Sequence, residues 1–143
     1  MRPVLALLGS SVVAVAVATG LPGLPGYIEG FERWEKVALK GLPDGGPHPG
    51  KGKVVFANPA GARAWKGKAP LPVGSIVVKT TGPAGKPELV AVMRKDRSGW
   101  FYEEYLPGGG GFYRLAFGGP GRQGLCSGCH ADVKEKDFLF TRP

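Results

Sequence analysis

The chain has two cysteines and two histidines, and three of these four residues stand together as Cys126, Cys129 and His130 in the run CSGCH. C-x-x-C-H is the spacing by which a c-type haem is attached. Each thiol adds across a haem vinyl group, and two intervening residues let both sulfurs reach one edge of the ring. The adjoining imidazole then reaches the iron from the proximal side. Other uses of these residues remain open. A zinc site needs four ligands, and His48 adds a histidine without a second cysteine pair. A redox dithiol usually opens a helix after a strand in a βαβ setting, which is missing here. A disulfide closing so short a loop would contribute little.

Two further residues bear on a metal. Met93 is the one methionine besides Met1. Its thioether could occupy the sixth position of a haem iron, or it could simply fill space on a strand. His48 lies in a Pro/Gly-rich loop and reads as a surface residue rather than a sixth ligand.

The elements that must position these groups are short. Residues 27–39 carry apolar side chains near helical spacing and predict a helix, with Gly41 as its stop. Residues 43–53 form a loop. Residues 54–56 are a short strand, and Asn58-Pro59 predicts a capped helix running to Trp65. Residues 75–80 and 89–94 predict strands joined by a turn over 82–87. Strands at 100–106 and 112–117 flank another turn at 107–111. Residues 125–136 predict a short helix bearing the haem motif, and 137–141 an aromatic tail that packs back on the core.

Glycine (25) and proline (14) make up more than a quarter of the 143 residues, near the range of disordered chains. Three Trp, four Tyr and seven Phe, with 43% hydrophobic residues, argue instead for a packed core. Collagen lacks its period here, and long helices would not tolerate so many breakers. The expected fold is mainly β (α+β): an antiparallel sheet with peripheral short helices and one covalent haem near the C-terminus.

The net charge is +8. The basic residues are scattered and no nucleic-acid motif accompanies them, so a soluble basic face, or docking to an acidic redox partner, is expected. Residues 1–18 read as a signal peptide: Arg2, an apolar stretch over 4–18, and the A-x-A end Ala16-Val17-Ala18. At 1.5 Å per residue that stretch spans roughly 22 Å, short of a bilayer core of roughly 30 Å. An uncleaved membrane anchor is the alternative. Residues 19–30 then read as a linker and 31–143 as one haem-binding domain, exported to the periplasm or beyond. Single Asn and Gln residues (Asn58, Gln123) suggest a thermophilic source.

The order of several segments resembles the cytochrome c′-beta and cytochrome P-460 family over roughly residues 31–143. They are Val54-Val55-Phe56-Ala57-Asn58, the run 71–79 ending in Lys79, Val92-Met93-Arg94-Lys95, Gly99-Trp100-Phe101-Tyr102, the haem motif, and the closing Lys136-Asp137-Phe138-Leu139-Phe140-Thr141. The resemblance implies an antiparallel-sheet protein, often a homodimer, holding one haem c between sheet and C-terminal helix. One branch of that family cross-links a lysine to the haem and oxidises hydroxylamine with a distal carboxylate. The other lacks the cross-link and binds nitric oxide on an apolar, aromatic-lined face.

Lys79 matches the lysine position, and no cross-link is expected. Glu103 and Glu104 are the carboxylate candidates, of which strand alternation lets only one readily face a pocket. Phe31, Trp34, Phe56 and Trp65 are candidates for an apolar distal wall. The expected function is electron transfer or binding of a small diatomic such as nitric oxide. A hydroxylamine-oxidising or peroxidase-like enzyme using Lys79 and a glutamate is the alternative, and a haem-free dithiol protein is a third.

Overall fold

The computed structural model describes residues 20–37 and 46–143. The signal-peptide reading of 1–18, the end of the expected helix over 27–39, and the start of the loop over 43–53 fall outside them. Among the described residues no helix is long and apolar enough to cross a membrane.

Six strands form one antiparallel sheet in which spatial order follows chain order: β1 (Glu35–Lys36), β2 (Val54–Ala57), β3 (Ile76–Thr81), β4 (Leu89–Asp96), β5 (Gly99–Pro107) and β6 (Tyr113–Gly118). Each strand beyond β2 matches a β-rich run anticipated from sequence: β3 and β6 are shifted by one residue, and β4 and β5 are longer than expected. The Gly/Pro clusters lie between them, as hairpin connections require. The expected mainly-β fold with peripheral helices is the one observed.

Two short helices flank the sheet. Asn58 caps α1 (Pro59–Ala64): its side-chain oxygen accepts from the Gly61 and Ile76 amides, both at 3.0 Å, while its amide donates to the Gly74 carbonyl. One side chain thus fixes both the helix start and the entry to β3. The second helix, α2 (Gly124–His130), carries the CSGCH run and continues into a 3-10 segment, Ala131–Lys136.

The helix expected over residues 27–39 does not form. Two 3-10 turns, Gly26–Ile28 and Phe31–Arg33, are followed instead by β1. Between them Gly30 takes φ +69°, a left-handed conformation that ends any continuous helix. The apolar spacing serves these turns equally well, because they press Ile28 and Phe31 onto the sheet. The preceding stretch, read as a linker, also packs: Leu21 and Leu24 lie against the same cluster, and the Pro22 carbonyl accepts from Tyr113 N. The stretch turns at Pro22-Gly23, where Gly23 takes φ +90° and Leu24 N donates to the Leu21 carbonyl at 3.3 Å.

Strand alternation gives the sheet two distinct faces. The back face carries Phe56, Val78, Val90, Val92, Tyr105 and Tyr113, covered by Ile28 and Phe31. The front face carries Val55, Ala57, Val77, Met93 and Tyr102, and is covered by Trp65, Leu71 and Leu139.

Candidate haem site

Register pairing places functional groups in rows on the front face. Val55, Lys79, Ala91, Glu104 and Phe117 are successive cross-strand partners from β2 to β6. Ala57, Val77, Met93 and Tyr102 form the next row. Over these rows opens a cleft of about 820 Å³, bounded on its far side by α2 and the C-terminal tail. Lys79, Glu104, Met93, Cys126, Cys129 and His130 all line it. With Glu103, all seven residues singled out from sequence border this cleft.

The seventh, Glu103, borders the cleft through its position on β5, but its carboxylate serves the other side. It accepts a hydrogen bond from the Tyr27 hydroxyl. Burial raises its pKa, with the Tyr105 hydroxyl partly offsetting that. The alternation argument that only one of the two glutamates can face the cleft selects Glu104.

The proposed aromatic wall is corrected. Phe31, Trp34 and Phe56 belong to the back-face cluster, with Phe31 and Phe56 packed edge to face at 5.3 Å. Trp65 is buried in the front core away from the cleft lining. Alternation separates neighbouring residues onto opposite faces but does not say which face meets a ligand. The apolar lining comes instead from Val55, Val77, Met93, Phe117, Leu125, Leu139 and Phe140. Phe117, Leu125 and Phe140 are large apolar residues left exposed at this cleft. An apolar patch of this kind marks a surface that a ligand covers.

α2 is held to the sheet by Gln123, which imitates a strand neighbour. Its side-chain oxygen accepts from Tyr102 N at 2.7 Å, and its amide donates to the carbonyls of Tyr102 and Gly119. Half-buried Cys126 and exposed Cys129 follow as free thiols. Burial pushes the Cys126 thiol up, and Glu104 and Cys129 add to this.

The His130 ring packs against Tyr102 and Phe140, with centroids at 4.9 and 5.3 Å. Its Nδ1 lies 2.7 Å from the Phe138 carbonyl, to which it donates as the Nδ1–H tautomer. That contact fixes the tautomer and leaves Nε2 for a metal. Burial lowers the His130 pKa; the Phe138 carbonyl works the other way, and His48 and Lys79 reinforce the lowering. A neutral imidazole is the form a metal takes.

The Phe138 carbonyl is itself aimed by unusual backbone. Asp137 and Phe138 have φ of 56° and 64°, a region that non-glycine residues rarely enter. Asp137 holds the turn in place: it accepts from Leu71 N at 2.7 Å, from Lys95 Nζ at 2.8 Å and from Trp100 Nε1 at 3.3 Å. Beyond it, buried Arg142 donates to the carbonyls of Ala64, Trp65, Gly67 and Ala69. The aromatic tail therefore packs back on the core, as its sequence suggests, and its anchors are polar.

On the sheet side, burial holds the Lys79 ammonium below the ordinary lysine value. Lys53 adds to this and Glu104 opposes it. Glu104 is also approached by His48, whose Nδ1 stands 2.8 Å from Oε2 without hydrogen-bond alignment. His48 is thus a lining residue of the cleft and not a bystander in a surface loop. Its one sequence signal was rarity, as the second of only two histidines.

These residues fit a haem. The cleft has the volume typical of ligand pockets and a largely apolar lining. The thiols stand on its rim, and His130 presents an oriented, neutral nitrogen. Comparisons with curated proteins and with solved structures gave no significant match. A comparison with protein families matches Cytochrome P460 over residues 28–141. With that match spanning the sheet, the cleft and the CSGCH helix, the chain belongs to the cytochrome P460 family of haem-binding cytochromes.

Proposed function

We propose that this protein is an exported cytochrome carrying one haem c, bonded through Cys126 and Cys129 and ligated by His130, that transfers electrons or binds a small neutral diatomic such as nitric oxide. The observation that carries this reading is the convergence of both thiols and the oriented His130 on one apolar cleft. The bound group would supply a one-electron iron couple and an axial coordination position.

The chain's own residues do the rest. Gln123 sets the height of α2 against β5. The Phe138 carbonyl orients His130 and raises its basicity as a ligand. Tyr102 and Phe140 sandwich the imidazole, and the apolar lining disfavours charged guests. The basic surface suits an acidic redox partner.

A second reading, oxidation of hydroxylamine, is supported by one observation. Lys79 and Glu104 lie in the same front-face row and both line the cleft, where the carboxylate could take a proton.

The experiment is expression of the full chain with c-type maturation machinery, followed by denaturing electrophoresis stained for haem and intact-mass measurement. One haem that stays with the polypeptide, and is lost in Cys126→Ala/Cys129→Ala, is expected. A chain without covalent haem overturns the reading. Haem that remains attached after thioether cleavage, with a red-shifted ferrous Soret band, would move the assignment to the cross-linked, hydroxylamine-oxidising type.

A further inference from the structure

The chain's two histidines face one another across the cleft, with ring centroids 6.3 Å apart and planes inclined at 71°. A metal–imidazole bond is roughly 2 Å, and the ring centre lies roughly 1 Å behind the bonding nitrogen, so two imidazoles sharing one ion stand about 6 Å apart. The observed separation suits a single ion between the rings.

Both rings make their polar contact through the same nitrogen. His130 Nδ1 is engaged by the Phe138 carbonyl, and His48 Nδ1 faces Glu104 Oε2 at 2.8 Å. Neither contact uses Nε2. A backbone carbonyl is a usual way of orienting a metal-bound histidine, and it holds His130; Glu104 stands beside His48 as a nearby carboxylate without hydrogen-bond alignment. The His48 and Glu104 side chains are mostly buried, 23% and 11% exposed.

The loop that carries His48 is seated on the sheet. Gly82 N donates to the Lys51 carbonyl at 2.8 Å. Gly50, at φ +121°, packs so closely on Thr81 that a Cβ there would come within 2.8 Å of that side chain.

We infer that His48, backed by Glu104, is the second axial ligand of the haem iron, opposite His130. The inference rests on the haem c reading above and sharpens it: a site closed by two histidines carries electrons and does not hold a diatomic ligand at rest. Met93, the other candidate for that position, packs in the front core with Val77 and Tyr102.

The test uses the purified holoprotein and its absorption and electron paramagnetic resonance spectra. The wild-type ferric protein should be low-spin, and its ferrous form should bind carbon monoxide weakly. His48→Ala should turn the ferric iron high-spin and raise carbon monoxide affinity by about tenfold or more, because no imidazole then competes for the position. Added imidazole should restore the low-spin spectrum, and Met93→Leu should keep the ferric iron low-spin, even where a changed cleft lining shifts the band positions. A high-spin wild-type protein, or a His48→Ala variant that stays low-spin, overturns the inference while leaving the haem c reading intact. A chain without covalent haem overturns both.

Discussion

The two faces of the sheet are made from the same strands by alternate residues, yet they are built for opposite purposes. The back face meets Ile28 and Phe31 and closes into a packed layer. The front face interposes Lys79 and Glu104 among its apolar residues and remains open beneath α2. Burial disfavours the Lys79 charge on the front and the Glu103 charge on the back, but the Glu103 carboxylate accepts from the Tyr27 hydroxyl. The difference teaches where this small protein gains its stability and where it gives some up: one face holds the fold, and the other accepts unfavourable groups to make a site.

Three substitutions test that division. Phe31→Ala opens a cavity in the closed face and should lower unfolding free energy by about 3–5 kcal/mol, measured by denaturant titration. The haem spectrum of the protein that remains folded should not change. A spectral change as large as the stability loss would show that the faces are not separable.

Asp137→Asn keeps an acceptor for Leu71 N but removes the charge that Lys95 meets, and should cost about 2–3 kcal/mol. Here the haem should respond as well. Slackening of the Phe138 carbonyl releases His130, and the reduction potential should rise as the imidazole loses basicity. An unchanged potential would reduce Asp137 to a structural anchor.

Lys79→Met is the smallest effect and has the opposite sign. Removing the buried ammonium should raise the melting temperature by roughly 2–5 °C near neutral pH. The lysine pKa is lowered in the folded state, so between that value and the ordinary one, about 10.4, the unfolded chain binds more protons and wild-type stability rises with pH. The advantage of the variant should therefore be full at neutral pH and shrink towards pH 10. A variant less stable than wild type throughout would assign Lys79 a favourable contact on the front face.

Much of this was legible in the residues. β-branched and aromatic runs between Gly/Pro clusters marked β2 to β6, because nearest-neighbour hairpins need only local signals, but not β1. The CSGCH run carries its chemistry in its spacing, and alternation correctly separated Glu103 from Glu104. The helix expected near Trp34 failed because the left-handed Gly30 converts helical spacing into two separate turns. The aromatic wall failed for another reason: Phe31 and Phe56 are core residues in any event, and only the docked chain shows which side they serve. His48 could not be placed at all from sequence, since its approach to Glu104 and His130 depends on how a Pro/Gly loop folds back over β3. The same holds for Gln123, whose role exists only once β5 lies beside α2.

The scarcity of side-chain amides has a consequence for chemical ageing. The chain has one asparagine and one glutamine, and both are structural pins. Deamidation of either would put a negative charge where an amide now donates to carbonyls. At Asn58 the usual route is blocked, because ring closure needs the next residue's backbone N–H and that residue is Pro59. At Gln123 both ends of the amide are tied to backbone, which keeps it from the conformations that cyclise. The anchors that position the CSGCH helix and the start of β3 are thus protected from slow hydrolysis by the same neighbours that give them their structural roles.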